Sequence, residues 1–333
     1  MTVAAYAEHL GNGVGQIRLP LPFPGLKWTN AYVIEGGAGL TLIDTGIDND
    51  ETRNALEKGM AELGHRLEQI STLICTHMHP DHMGMAYKLV AEGSMDFVMH
   101  DSAHAVIERY NDWTISRRNL ASLAIEHGAP AEFAARTAGS ERRPDWAGVA
   151  IEPTKPVSNG GEIQIDDGRV LTAVHTPGHE NSHICLVDSR TGVLFSGDHI
   201  LPRITPVVMY EADPDPLGTY LESLRVIEAM DVGLTYPAHI NILERGSLRA
   251  RQIILHHERR LGAMIQEVKM RPKTAWELVG DIFRPNLDPL EQRLALSETL
   301  AHIEYLRIRG DLTRTMEQGV WHYFRPGRRL TRR

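Results

Sequence analysis

The chain has 333 residues, 42% hydrophobic and 23% charged, with a formal net charge of −8 at pH 7, a composition that excludes a low-complexity or disordered chain. No apolar run reaches the roughly 18 residues that span a bilayer. The opening MTVAAYAEHLGNGVGQ has no basic stretch followed by an apolar core, so no membrane partner and no secretory leader are expected, and the cytoplasm is the default location.

Within residues 15–45, QIRLPLP, NAYVIEG and GLTLIDTG read as short strands, rich in apolar and β-branched residues and punctuated by Gly and Pro. The segment 19–32, LPLPFPGLKWTNAY, reads as a loop linking the first of them and exposing Phe23, Leu26 and Trp28. DNDETRNALEKGMAELG is helical, with acids in its first turn and a glycine at its end. ISTLICTH is a buried strand running into a histidine-rich loop, MGMAYKLVAEG a helix, and MDFVMH another strand. Residues 102–150 form a mostly helical insert carrying Tyr110, Trp113 and Trp146. GEIQI, RVLTAVHT, HICLVDS and GVLFSGD make a second strand set, followed by a helix around PLGTYLESLRVIEAM and a last strand, VGLTYPAH. This order lacks strict βαβ alternation, so two packed sheets flanked by helices is the expected layering.

Past residue 245 the character changes. Charge sums to about −16 before this point and about +8 after it, as two modules with different surfaces would have. SLRARQIILHHERRLGAMIQEV is a long amphipathic helix, TAWELVGDIF and EQRLALSETLAHIEYLRIRG are two more, and DLTRTMEQGVWHYF closes as a hairpin. Three helices and a hairpin make a winged-helix pattern, so the expected division is a catalytic domain over 1–244 and a winged-helix-like domain over 245–333. The two cysteines, Cys75 and Cys185, sit inside apolar runs, where buried, unreactive thiols are expected.

The 17 histidines are the unusual count. In THMHPDHMG, His77 and His79 are two apart and emerge on one face of an extended segment. Asp81 and His82 follow after a proline. Four metal-type ligands thus leave one loop at the end of a buried strand, and imidazole with carboxylate suits zinc, with iron or manganese as alternatives. One loop cannot close a two-metal site. His179 after RVLTAVHT, Asp198 after VLFSG and His239 after VGLTY are further ligand types at strand ends, where a rigid scaffold presents functional loops.

The H-x-H-x-D-H run, then T-P-G-H, then G-D, then a last histidine, resembles the metallo-β-lactamase superfamily. The branch is that of glyoxalase II, the lactonases and the lactamase-β-like endoribonucleases, and the match runs over roughly residues 15–240. The resemblance implies an α/β fold, the αββα sandwich, with metals at one edge of the sheets. It implies that His77, His79 and His179 hold one Zn2+, that Asp81, His82 and His239 hold the other, and that Asp198 bridges them. Two departures stand out. Pro237-Ala238-His239 replaces the commoner P-G-H, and Glu180-Asn181-Ser182-His183 replaces a T-P-G-S type of stretch; Asn181 and His183 become substrate or loop-orienting candidates.

A two-metal site brings a bridging water toward neutral pKa and polarises the substrate carbonyl or phosphoryl oxygen; no G-x-S-x-G elbow is present. Asp81 is the candidate proton carrier on the family pattern. Phe23, Trp28, Tyr110, Trp113, Arg203, Met209 and Tyr210 are candidates for an apolar pocket suited to a thioester, lactone or ester of a small molecule. Two other readings stay open. One is a nuclease whose basic tail grips nucleic acid, disfavoured by the acidic catalytic half and the lack of a recognisable β-CASP insert. The other is a non-catalytic binding protein, disfavoured because all seven ligand positions are filled. The tail helix also offers a homodimer surface.

Overall fold

A computed structural model describes residues 6–23, 25–138, 143–210 and 213–327. Six strands, β1 (Tyr6–Gly11), β2 (Val14–Phe23), β3 (Leu26–Gly36), β4 (Gly39–Ile43), β5 (Ile70–Ile74) and β6 (Asp96–Val98), form one mixed sheet in chain order. β1 to β4 are antiparallel neighbours; β4, β5 and β6 run parallel. Five more, β7 (Glu162–Asp166), β8 (Arg169–His175), β9 (Ile184–Asp188), β10 (Leu194–Gly197) and β11 (Thr235–Pro237), form a second sheet ordered β11-β10-β9-β8-β7, whose only parallel pair is β10 with β11.

Period-2 alternation sorts the side chains between two cores. On β3, Tyr32 and Ile34 join Ile43, Ile74, Leu171, Leu186 and Phe195 between the sheets. Their neighbours Ala31 and Val33 face the other way, toward Leu56 and Met60 of the first helix, Leu63 that caps its end, and Leu89 of the third. The first helix, α1 (Asp50–Glu62), starts at Asn49, whose side chain accepts from Thr52 N at 2.7 Å. Next come the single turn α2 (Pro80–Met83), then α3 (Ala86–Glu92) and α4 (His104–Asn111). Two packed sheets with flanking helices, the layering expected from the sequence, make up the fold of this chain.

Two local expectations need correction. Residues 6–11, not read as a strand, form β1 because Gly11-Asn12-Gly13 supplies three consecutive positive φ angles (87°, 53° and 69°) for a tight hairpin onto β2. Segment 19–32 is not a loop. β2 runs to Phe23 and β3 begins at Leu26, with Pro20 paired to Trp28. Pro20 and Pro22 are tolerated because β1 pairs with β2 only as far as Arg18, so they face an edge where no ladder bond is required; Pro24 lies outside the described residues.

The remaining helices are α5 (Trp113–Glu126), α6 (Ala131–Ala138), α7 (Pro216–Ala229), α8 (Gly246–Met270), α9 (Ala275–Ile282) and α10 (Pro289–Ile308), and a hairpin of β12 (Thr313–Glu317) and β13 (Val320–Phe324) follows. Two compact units share the chain. The first holds the chain up to Asn111, Arg143–Pro206 and Ser223–Ala250, and thus both large sheets. The second holds Asp112–Arg142, Val207–Glu222 and the chain from Arg251 on. In the second unit Phe133 of α6 packs against Trp276 of α9 at 4.7 Å, and Tyr323 of β13 hydrogen-bonds His127 at 3.1 Å. Capping boxes at Thr274/Glu277 and Asp288/Glu291 start α9 and α10. Among the described residues no helix is long and apolar enough to cross a membrane.

Candidate metal centre

All seven sequence-picked ligands lie in the first unit and converge. His77 and His79 follow β5. Asp81 and His82 sit on α2, whose N-terminal proline fixes the turn. His179, Asp198 and His239 come from the loops after β8, β10 and β11. His77, His79, His179 and Asp198 each place one ligand atom within 4.8 Å of the others, and Asp81, His82 and His239 do the same. His79 Nδ1 lies 2.9 Å from His77 Nε2 and 3.0 Å from His179 Nε2. Asp198 faces both groups: Oδ2 is 3.6 Å from His179 Nε2, while Oδ1 is 3.6 Å from His82 Nε2 and 3.2 Å from His239 Nε2. Asp81 Oδ2 is 3.3 Å from His239 Nε2 and 3.7 Å from His82 Nε2.

These spacings suit cations better than mutual hydrogen bonds. Four ligands placed tetrahedrally at zinc's bond lengths sit about 3.3 Å apart. The proton positions follow from the outer partners. His82 Nδ1 donates to Asp44 Oδ2 at 2.8 Å, and His239 Nδ1 donates to the Trp28 carbonyl at 2.9 Å. Both Nε2 atoms are thereby lone pairs turned into the cluster. Thr76 donates its hydroxyl to Asp44 Oδ2 at 3.0 Å and accepts from His77 Nδ1 at 3.1 Å, which leaves His77 Nε2 a lone pair as well. Three ring nitrogens then face one another around His79 with too few protons to pair them. His82 Nε2, His239 Nε2 and Asp198 Oδ1 are buried and make no hydrogen bond. A cation resolves all of these contacts at once.

The electrostatics point the same way. Burial, then the neighbouring imidazoles, push His77 well down and His79 down to about 3, so both rings are neutral, the form a metal would take. Burial opposes charge on His82 and His239 too, but Asp81 and Asp198 outweigh it and raise both, His239 to about 10, so with no cation each Nε2 takes up a proton, and its lone pair faces the cluster only when a cation displaces that proton. Burial would raise Asp81 and Asp198, yet the facing His82 and His239 hold Asp81 down at about 2 and Asp198 well below the usual carboxylate range. The acidic pocket therefore attracts positive charge, supplied by protons or by a metal ion.

Other candidates fall in varied places. His183 is buried; its Nε2 accepts from Asp198 N at 3.1 Å and its Nδ1 donates to Thr176 Oγ1 at 2.8 Å, which leaves no ring nitrogen for a substrate. Gly197, at φ +47°, keeps this arrangement, since a Cβ there would stand 2.6 Å from His183 Nε2. The Asn181 carbonyl accepts from His175 Nε2 at 2.8 Å and from Ser102 Oγ at 3.3 Å. Phe23 meets Trp146 edge-on at 5.5 Å, and Arg18 lies over half-buried Trp28 at 5.2 Å. Tyr110 donates to the Ala147 carbonyl beneath the Arg143 guanidinium; burial lifts its hydroxyl to about 12, with Asp81 adding to the rise. Arg203 is exposed. Tyr210 belongs to the second unit, where its N–H donates to Ser297 Oγ. The Trp113 side chain lies outside the described residues.

Sequence reasoning missed Asp44, a buried carboxylate with φ +61° that also accepts from Thr76 N at 2.8 Å. Its only signal was an acid at a strand end in LIDTG.

Residues 26–239 match the Metallo-beta-lactamase superfamily, and residues 261–326 match the metallo-beta-lactamase-like C-terminal domain. The chain belongs to the metallo-beta-lactamase superfamily. With relatives named as hydrolases it is an enzyme, a metallo-hydrolase. A probable metallo-hydrolase of Bacillus subtilis (strain 168) is 27% identical over 323 residues, spanning 94% of this chain and 98% of its own. An atrochrysone carboxyl ACP thioesterase of Paecilomyces divaricatus is 23% identical over 282 residues, 81% and 71% of the two chains. Among solved structures, a metallo-beta-lactamase family protein from Thermus thermophilus superposes with a TM-score of 0.80 at 29% identity, covering 95% of this superfamily member and 100% of that chain.

Proposed function

We propose that this metallo-hydrolase is dinuclear and cleaves a thioester, or a related lactone or ester, of a small molecule. One zinc would be held by His77, His79 and His179, the other by Asp81, His82 and His239, with Asp198 between them. The observation carrying this reading is the division of Asp198, one oxygen toward each group. Two divalent cations bound there supply a water acidified toward neutral pKa and a Lewis acid for the carbonyl oxygen. The thioester preference is supported by the relative named as a thioesterase.

The chain's own groups supply the rest. Asp81 is the more open of the two carboxylates, 17% exposed against 11% for Asp198. Its Oδ2 faces His82 and His239, leaving Oδ1 to take the proton of the attacking water and pass it to the departing thiol or alcohol. His183 fixes the Asp198 backbone, and Asp44 fixes His82. Phe23, Trp28, Trp146 and Tyr110 would form the apolar mouth that receives an acyl chain. We further read α8, α9, α10 and the β12–β13 hairpin as a winged-helix-like domain.

The test is metal-free protein reloaded with Zn2+ and offered thioesters, lactones, β-lactams and phosphodiesters. Two bound equivalents and restored thioester turnover are expected. Saturation at one equivalent with full turnover, or turnover confined to phosphodiesters, would overturn the reading.

A further inference from the structure

We propose that Asn30 is a positioning residue that sets His239 across the gap between the two sheets; this rests on the reading of His239 as a metal ligand. The carbonyls on both sides of His239 are held by this one residue. Asn30 Nδ2 donates to the Pro237 carbonyl at 2.9 Å and to the Ile240 carbonyl at 3.1 Å, and Asn30 N donates to the Ala238 carbonyl at 2.6 Å. From the same strand, Tyr32 Oη adds a second donor to Pro237 O at 2.7 Å, and the Trp28 carbonyl takes His239 Nδ1–H. Strand β3 belongs to the six-stranded sheet and β11 to the five-stranded one. A side chain on one sheet thus dictates where the other sheet's ligand stands.

Two features show that the turn needs such a clamp. Ile240, directly after His239, sits at φ +69°, a left-handed conformation that a β-branched residue avoids. Such strain persists only when the surroundings over-determine it. Asn30 is fully buried, yet its Oδ1 has no hydrogen-bond partner. An orphaned buried acceptor is left with its full desolvation penalty. The carboxamide cannot be turned over to relieve it, because Oδ1 would then face two carbonyl oxygens. Both N–H groups are committed to the turn at the expense of the oxygen, and a carboxylate at this position would repel the carbonyls it must hold. The clamp matters because ligand distances tolerate only about ±0.2 Å.

The experiment is a Zn2+ titration against a chromophoric chelator, with melting temperature followed in parallel, on Asn30→Ala, Tyr32→Phe, His239→Ala and Asn30→Ala/Ile240→Gly. In Asn30→Ala one of the two equivalents should weaken by about 10–100-fold, the usual effect of losing an outer partner, and the other should hold. Tyr32→Phe, which removes a single donor, should weaken the same equivalent a few-fold and decides the matter if Asn30→Ala does not fold. Ile240→Gly relieves the strain, so the double variant should recover part of the loss. Wild-type affinity in Asn30→Ala and Tyr32→Phe beside a loss in His239→Ala overturns the clamp and spares the ligand reading. Equal weakening of both equivalents in Asn30→Ala also overturns it. Two full-affinity equivalents in His239→Ala overturn the ligand reading itself.

Discussion

Asp44→Asn is a nearly isosteric change with a large expected effect. In the wild type the carboxylate accepts from His82 Nδ1, Thr76 N and Thr76 Oγ1 at 2.8, 2.8 and 3.0 Å. An asparagine keeps Oδ1 on Thr76 N and turns an NH2 toward His82. His82 must then offer a bare Nδ1 and carry its proton on Nε2, the atom meant for the metal. The same NH2 donates to Thr76 Oγ1, whose proton turns toward His77 Nδ1 and moves that ring's proton onto Nε2 as well. A charge-assisted hydrogen bond of about 1.5–3 kcal/mol is lost at His82, which corresponds to about 10–150-fold in affinity. Chelator-competed Zn2+ titration of folded protein should therefore show both equivalents weakened, whereas removal of the Asn30 donors touches one. Wild-type affinity for both equivalents in Asp44→Asn would refute the proton assignments given above.

Asp198→Ala removes the shared carboxylate, so both equivalents should weaken and hydrolysis should fall by about 100-fold or more, as for groups acting on developing charge; full zinc content with full activity would contradict this. Trp28→Ala keeps the carbonyl that holds His239 and removes only the indole, so two zinc equivalents should remain while kcat/KM ratios across acyl-chain lengths shift; unchanged ratios would remove Trp28 from the mouth. Glu298, buried on α10, is raised from 4.5 to about 7, chiefly by burial and despite the Arg260 contact. Its neutral form is the one the fold prefers, so stability is full below about pH 4.5 and is lost as pH rises through 7, by roughly 3 kcal/mol. Denaturant titrations of zinc-loaded protein from pH 4.5 to 8 should show this loss shrinking in Glu298→Gln, and parallel pH curves would count against it.

The convergence of the seven candidate side chains was legible because the chemistry proposed for them concentrates rare residue types at strand ends, as in THMHPDHMG. Asp44 and Asn30 were not, because one acid or amide beside a strand carries no spacing signal; both act on groups that are distant in sequence, Asn30 on residues 237–240. The sandwich layering followed from two strand sets, each trailed by helices, without strict βαβ alternation. The strand at residues 6–11 escaped because Gly11-Asn12-Gly13 declares a hairpin only once its partner is known. Segment 19–32 resembled a loop since prolines usually break strands, and only the pairing pattern reveals that the edge beside Pro20 and Pro22 is unpaired. The sequence reading drew one boundary near 245, whereas α5 and α6 pack with the later helices through contacts such as Phe133 with Trp276, a long-range choice invisible to local periodicity.

Four of the seven proposed ligands hang from the end of one sheet and three from the other. On that proposal the filled cluster would act as a clip across the open edge of the sandwich, and any ion that binds only the folded chain adds stability in proportion to the logarithm of its free concentration, about 4 kcal/mol at a thousand times its dissociation constant. Scarcity of metal would thus loosen the sandwich as well as idle the enzyme, exposing its rim to proteases and coupling the lifetime of the protein to the supply of its ion.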